Sequence, residues 1–341
     1  MIDVARDRPR GAAPAGRNTA IAAAAALLAA AAAIRLLDPE RINWLRSALI
    51  IFGSLVSQAL PFVLIGAFAS ACIEVFVPPS SLERLATLPA WLQLPAAGLA
   101  GVAFPICECG SVPVARRLID KGLRPGAAIT FMLAAPVLNP VVVASTFVAF
   151  RTRPNLWTMV IGRFLLGLVV AIVVGWVIGD LSKGQILRSG SSSGAPSGPR
   201  PIEFEKPEPS NRAFFAHLGN DFLFMVRFLL IGATAAALVQ SFLPASLLQS
   251  VATTQVADII VMMGLALVLS LCSESDAFIA ASFVQFGSAA QLAFLVFGPM
   301  VDFKLGALYL GTFERRTVRA MIVTIAVTVF VATAWIRVVL R

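Results

Sequence analysis

The chain has 341 residues, of which 58% are apolar and 13% are charged, and its formal net charge is +9. A soluble domain carries about 25% charged residues, so these charges are too few to cover two soluble units. The charges are also clustered, and the apolar stretches between them match the roughly 20 residues that cross a bilayer. This composition excludes a soluble enzyme, a disordered scaffold and a secreted disulfide module. It predicts an all-α, polytopic helical membrane protein whose main partner is the lipid bilayer.

The basic residues lie mostly in tails and in short loops between apolar stretches, as with Arg116, Arg117, Lys121 and Arg124. In such loops positive charge sets the orientation of a membrane protein and meets anionic lipid. A nucleic-acid site would need basic residues grouped on a soluble surface. We therefore expect no nucleic-acid partner.

The N-terminal region divides into two segments. Residues 1–18 are polar and contain several arginines, which predicts a disordered cytoplasmic tail. The alanine-rich stretch that follows, about residues 20–37, has features of both a cleavable signal peptide and a weak first transmembrane helix. We favour the helix, because membrane transporters seldom need a cleaved signal.

Eight clearer apolar spans follow in chain order. They lie at about residues 48–76, 94–107, 127–150, 156–179, 214–242, 256–272, 289–312 and 318–339. With the first stretch they predict eight or nine transmembrane helices. Residues 181–212 interrupt the pattern, because they are rich in Ser, Gly and Pro and have no apolar period. Such a segment cannot bury a core, so it predicts a flexible linker between two membrane parts.

The two parts, residues 19–180 and 213–341, resemble each other in sequence. Pro61–Leu85 and Arg227–Val251 are identical at 11 of 25 positions at a constant offset of 166. Further landmarks continue the alignment, since Cys107 meets Cys272 and Asn139 meets Asp302. The sequence therefore predicts two homologous halves, an arrangement typical of secondary transporters with a site at the repeat interface.

Two polar segments break the apolar spans at related places. Residues 104–113 read FPICECGSVP, and residues 271–278 read LCSESDAF. Irregular backbone at membrane depth is tolerated where it is buried in protein or lines a wet cavity. The segments predict broken or re-entrant helices, and they are the best pointers to a substrate site at the interface.

Three of the four cysteines lie at these breaks. Cys107 and Cys109 offer two soft sulfurs, and Cys272 would supply a third from the other half. Thiolate sulfur selects soft ions, so the three are candidate ligands for a thiophilic metal or a trivalent arsenical. The alternative is that they pack as small apolar side chains, which we expect of Cys72.

Buried acids form a second group of candidates. A charge within an apolar span costs several kcal/mol, which makes such a residue a functional candidate. Glu274 and Asp276 are candidates to carry protons, to bind a cation or to pair with Arg or Lys. Arg163 and Arg227 also lie within apolar spans and are expected to neutralise buried acids. Asp302 and Lys304 can satisfy each other, or Asp302 can take part in ion coupling. The full set of candidate substrate-binding residues is Cys107, Glu108, Cys109, Asn139, Cys272, Glu274, Asp276 and Asp302.

The motif Pro105-Ile-Cys-Glu-Cys-Gly-Ser-Val-Pro113 occurs with Ala135-Pro-Val-Leu-Asn-Pro140 and Ser273-Glu-Ser-Asp-Ala-Phe-Ile-Ala280. With these motifs the chain resembles the predicted permeases of the ArsP/YraQ type over about residues 45–340. The resemblance implies a permease of the bacterial inner membrane, and some relatives export trivalent organoarsenicals. Carried over by position, it implies functional roles for Cys107, Cys109, Asn139, Glu274 and Asp276.

These observations predict a secondary-type permease that exports a thiophilic metal or metalloid, with proton coupling through the acids. A cation or small-solute permease that uses the acids and Asn139 is one alternative. A membrane partner of a metal-homeostasis or redox protein is another. The sequence has no GxxxxGK[ST] phosphate-binding loop and no histidine placed to act as a general base. We therefore expect neither an enzyme nor a cofactor, and an oligomer is compatible with the sequence.

Overall fold

A computed structural model describes residues 43–76, 89–103, 106–179, 186–187, 211–242 and 257–339. The chain divides into two units, Met1–Ser47 and Ala48–Arg341, and the packing described below concerns the second. The predicted tail at residues 1–18 and the apolar stretch near residues 20–37 lie outside the described residues, as does most of the predicted linker at 181–212.

The described residues form two series of α-helices. The first series is α1 (Asn43–Phe76), α2 (Ala90–Ala100), α3 (Glu108–Asp120), α4 (Pro125–Leu138), α5 (Pro140–Phe150) and α6 (Leu156–Ile178). The second is α7 (Asn211–Phe242), α8 (Ala257–Leu269), α9 (Asp276–Ser282), α10 (Ser288–Phe297), α11 (Phe303–Thr312) and α12 (Arg315–Val339). The prediction of an all-α membrane protein is confirmed.

Two residues of the predicted linker are packed against the second series. Ile186 is fully buried, and its carbonyl oxygen accepts a hydrogen bond from the Glu314 amide at 2.9 Å. Leu187 forms an isolated antiparallel bridge with Phe313. Residues 186–187 are therefore packed against the protein, unlike the flexible linker predicted for residues 181–212. The reason is that the apolar Ile186 side chain is buried beside the junction of α11 and α12.

Five helical stretches of the described residues are long and apolar enough to cross a membrane. They are Leu45–Cys72, Pro125–Phe150, Leu156–Ile178, Leu218–Ser241 and Arg315–Val339. The spans predicted near 94–107, 256–272 and 289–312 consist of shorter or interrupted helices. Short helices are tolerated at membrane depth when protein surrounds them. The total of eight or nine crossings stays a prediction.

The interior of the molecule is centred on α4, which packs against α2, α3 and α6. Of the 18 most apolar consecutive residues in Pro125–Phe150, 78% are buried within the protein, whereas the corresponding share for Arg315–Val339 is 17%. The last helix instead exposes side chains such as Val331 and Trp335. Apolar side chains on an outer face are stable when they contact lipid. This explains why the last helix can expose so many apolar side chains.

Polar side chains stabilise two helix breaks, and their positions match in the sequence alignment of the two parts. Between α4 and α5, the Asn139 side-chain oxygen accepts a hydrogen bond from the Val141 amide at 2.9 Å. Before α11, Asp302 Oδ1 accepts from the Leu305 amide at 2.6 Å. Each side chain satisfies an amide that would otherwise lack a partner at the start of a helix. Pro140 suits the first position of α5, where no amide hydrogen is needed.

Glycines bring two pairs of segments into close backbone contact. A Cβ atom on Gly66 of α1 would lie 2.5 Å from the Gly110 Cα atom of α3. A Cβ atom on Gly232 of α7 would lie 2.4 Å from the Lys304 Cα atom of α11. Small residues commonly allow membrane helices to approach this closely. These contacts fix the first turns of α3 and α11 against the long helices.

We expect Gly66→Ala to destabilise the protein, because the new methyl group would clash with backbone atoms of Gly110 rather than with a flexible side chain that can move. Overpacking of this kind costs about 1–3 kcal/mol. A lower thermal unfolding midpoint of the detergent-purified protein would register the effect. Gly53→Ala on the same helix is the control, since nothing lies within 4 Å of its Cβ position. Equal unfolding midpoints for the two variants would contradict the close approach.

Candidate functional site

A buried cluster of three charged side chains lies where α3 meets α11. The Lys304 ammonium is 3.6 Å from Glu108 Oε1 and 3.4 Å from Asp302 Oδ2. The side chains of Glu108, Asp302 and Lys304 are each no more than 2% exposed. The predicted pairing of Asp302 with Lys304 is confirmed, and Glu108 joins it from the first series of helices.

Each of the three charged residues lies at or near the start of a helix. Glu108 lies in the first turn of α3, after Cys107 in extended conformation, and Asp302 caps α11. Carboxylates are favoured at helix N-termini because the macrodipole is positive there. Lys304 also lies in the first turn of α11, where that dipole disfavours a cation. The two carboxylates therefore compensate both the burial of Lys304 and its place on the helix.

The cluster retains unused hydrogen-bonding capacity. Glu108 Oε1, Asp302 Oδ2 and Lys304 Nζ are buried and make no hydrogen bond within the described part of the chain. The two ion-pair distances are longer than the 2.7–2.9 Å typical of a charge-assisted hydrogen bond. The other Glu108 oxygen is engaged, since it accepts from the Ser273 hydroxyl at 3.3 Å. The three atoms interact with one another as ion pairs at these longer distances.

Two of the three cysteines at the predicted breaks, Cys109 and Cys272, are electrostatic neighbours of this cluster. Cys107, Cys109 and Cys272 are buried and have free thiols. The side chains of Cys107 and Cys109 interact with each other. Lys304, Glu108 and Cys109 are among the electrostatic neighbours of Cys272. Cys72 is only half-buried, on α1. Across the described ranges, no group of three His, Cys, Asp or Glu side chains is arranged to hold a metal ion.

A second buried ion pair joins Arg163 of α6 to Asp276 at the start of α9. Arg163 donates to the two carboxylate oxygens of Asp276 at 2.9 and 2.8 Å. It also donates to the Thr146 hydroxyl at 2.9 Å and to the Ser273 carbonyl at 3.1 Å. The prediction that Arg163 neutralises a buried acid is confirmed. The same prediction for Arg227 is wrong, because Arg227 is exposed and lies over the Phe224 and Phe228 rings.

Glu274 and Asn139 complete the predicted set, in different ways. Glu274 is half-buried, and its charged neighbours include Glu108, Arg163 and Lys304. Its Oε2 atom is buried without a hydrogen bond in the described structure. Asn139 is buried, but its side-chain oxygen is engaged by the Val141 amide. Glu274 therefore belongs to the surroundings of the charged cluster, whereas Asn139 acts at the break between α4 and α5.

The structure thus brings most of the candidate residues together around a side chain outside the candidate set. Glu108 and Asp302 form ion pairs with Lys304, and its electrostatic neighbours include Cys109, Cys272 and Glu274. Cys107 interacts with Cys109, and Asp276 forms a separate pair with Arg163. The sequence signal for Lys304 was a cation two residues after Asp302 within an apolar span. No comparable signal in the sequence pointed to Ser273, although this residue contacts both groups of charges.

Comparison with known proteins identifies the relatives of this chain. The family ArsP_1, described as "Predicted permease", matches residues 44–338. The "UPF0718 protein YcgR" of Bacillus subtilis (strain 168) is 39% identical over 280 residues, which are 82% of this chain and 93% of the relative. The "Putative two-component membrane permease complex subunit" of Streptococcus mutans is 35% identical over 262 residues, or 75% and 83% of the two chains.

No solved structure matches the chain. The family match covers all twelve described helices but for the first and last residues at its ends. The expected resemblance to this type of permease is confirmed. The chain therefore belongs to the ArsP_1 family of predicted permeases, and it is a multi-pass membrane permease.

Proposed function

We propose that the chain is a secondary-type permease of the bacterial inner membrane that exports a thiophilic metalloid or metal. The observation that carries this proposal is the burial of three free thiols, on Cys107, Cys109 and Cys272. Two of them, on Cys109 and Cys272, are electrostatic neighbours of Lys304. Soft sulfur ligands favour soft metals and trivalent arsenicals over hard cations. The bacterial origin of both relatives supports the inner membrane as the location.

The order of the helices supports a two-half arrangement, residues 19–180 and 213–341 joined by the linker 181–212. Each series has a long first helix, four shorter helices and a long last helix. Under the sequence alignment, α3 corresponds to α9 and α5 to α11. The two contacts correspond to each other under this alignment, because α3 contacts α11 and its counterpart α9 contacts α5, the counterpart of α11. A site between α3 and α11 would then lie at the interface of the halves, where transporters of repeated architecture bind their substrates.

The acids supply a route for coupling transport to protons. Glu274 is suited to this role, because it is half-buried and has one oxygen without a hydrogen bond in the described structure. Asp276 is less suited, because Arg163 holds both of its carboxylate oxygens. Protonation of Asp276 would weaken its two charge-assisted hydrogen bonds to Arg163, whereas Glu274 Oε2 makes no such bond. We therefore assign proton coupling to Glu274 rather than to Asp276.

Transport by the purified full-length protein in liposomes tests the proposal. We expect uptake of a thiophilic species to exceed that of protein-free liposomes, and to depend on an imposed proton gradient. The panel would contain methylarsonous acid, copper(I) and zinc, with potassium as a hard-cation control, and elemental analysis would measure the contents. Uptake of none of the thiophilic species would overturn the proposal. Uptake of zinc and potassium alike would favour the alternative permease for cations, in which the acids bind and the cysteines pack.

A further inference from the structure

A third ion pair joins α3 to α7 outside the charged cluster. Arg117 of α3 donates to the two carboxylate oxygens of Asp221 of α7, at 3.1 and 3.3 Å. The Ser70 hydroxyl of α1 donates to the same carboxylate at 2.7 Å. Ser70 is fully buried, whereas the side chains of Asp221 and Arg117 are 5% and 18% exposed. The pair therefore connects three helices, and its arginine is partly open to the surface.

The course of α3 places this pair between the cluster and one membrane surface. Glu108, in the first turn of α3, belongs to the cluster, and Cys109 follows it. Arg117 lies in the last turn of the same helix, about 14 Å further along at 1.5 Å per residue. The basic loop 121–124 comes directly after the helix, and such loops lie at the membrane surface. The Arg117–Asp221 pair is thus on the route from this surface to the thiols.

The pair also joins the two parts of the chain that are related in sequence. Ser70 and Arg117 belong to the first part, and Asp221 belongs to the second. Transporters of repeated architecture open their site to one side by moving one repeat against the other. A path from the loop to the buried cluster would pass between α3 and α7, which are in contact. Opening on this side would therefore break the hydrogen bonds between Arg117 and Asp221.

We propose that the Arg117–Asp221 pair, stabilised by Ser70, is a gate that closes the site to the membrane surface at residues 121–124. This inference rests on the proposed function, which makes the cluster and its thiols the transport site. Hydrogen bonds between charged groups are strong when one partner is buried, as Asp221 is, so they stabilise the closed state. Water can replace part of the interaction of the more exposed Arg117 when the helices separate. The pair favours closure without preventing opening.

Labelling of Cys109 by a membrane-impermeant maleimide tests the gate, because the thiol reacts only when it meets water. The full-length protein would be labelled in everted membrane vesicles and in spheroplasts, and modified Cys109 would be quantified by mass spectrometry. We expect Asp221→Asn to raise the labelling rate at least about fivefold in one of the two preparations, because it weakens the hydrogen bonds that hold the gate closed. Arg124→Cys, at an exposed position of the loop, should be labelled in the same preparation.

Two further variants separate the gate from general effects of the substitution. Asp120→Asn is the matched control, because Asp120 is an exposed acid of the same helix that pairs with Arg116. Its labelling rate should equal that of the wild type. Arg117→Asp/Asp221→Arg restores an ion pair with the charges exchanged, so it should return the labelling rate of Cys109 toward the wild-type value.

Labelling of Asp221→Asn at the wild-type rate, or an equal rise in both preparations, would overturn the inference. An equal rise would mean that the protein is loosened throughout. If Asp221→Asn does not fold, as judged by size-exclusion chromatography, Ser70→Ala decides. It removes one hydrogen bond from Asp221 and should raise labelling from the loop side at least about twofold. Labelling needs no substrate, so failure of the gate is distinguishable from failure of the proposed function, in which the wild type takes up no thiophilic species.

Discussion

Replacing Arg163 by methionine is expected to destabilise the protein by about 3–5 kcal/mol, the cost of breaking a buried ion pair. The reason is that Asp276 would remain as a buried carboxylate after losing both of its guanidinium hydrogen bonds. Thr146 and the Ser273 carbonyl would lose the same donor. Chemical or thermal unfolding of the detergent-purified protein, followed by circular dichroism, would measure the loss.

Two variants separate the ion pair from general effects of the substitution. Arg151→Met removes an exposed arginine from the end of α5, and we expect it to have little effect. Arg163→Met/Asp276→Leu removes both charges, and it should recover most of the stability because no charge is left unpaired. If Arg163→Met were as stable as Arg151→Met, Arg163 would not be the essential partner of Asp276.

The second large effect is expected on transport. Cys107→Ser/Cys109→Ser should reduce uptake of methylarsonous acid at least about tenfold, because the change replaces the two adjacent soft sulfurs by hard oxygens. The two side chains already interact, so together they can provide two ligands without a long rearrangement. Liposomes with equal amounts of folded protein would be compared by their initial rates of arsenic uptake.

Cys72→Ser is the control for the thiol variants. Cys72 lies half-buried within α1 rather than at a helix break, and we expect its serine variant to transport normally. Cys272→Ser should have an intermediate effect if this thiol is the third ligand. Transport by Cys107→Ser/Cys109→Ser at the wild-type rate would show that the sulfurs only pack.

Local sequence signals explain two of the helix breaks. Pro140 and Asn139 mark the start of α5, and Asp302 marks the start of α11. These signals are reliable because proline lacks an amide hydrogen, while Asn and Asp side chains satisfy free amides at helix starts. The exact ends of the shorter helices were less predictable. The predicted break covers residues 104–113, but residues 108–113 lie within α3.

The chain's composition and spacing by themselves determined that it is a helical membrane protein, because a chain this apolar must satisfy its backbone hydrogen bonds within helices in lipid. They also determined which polar residues would lie at the breaks. Only the tertiary structure decided their partners. Arg163 and Asp276 are 113 positions apart, and Glu108 meets Lys304 only because α3 packs against α11. Buried charges need partners wherever the fold supplies them, so packing rather than spacing decided that Lys304 lies at the centre of the site.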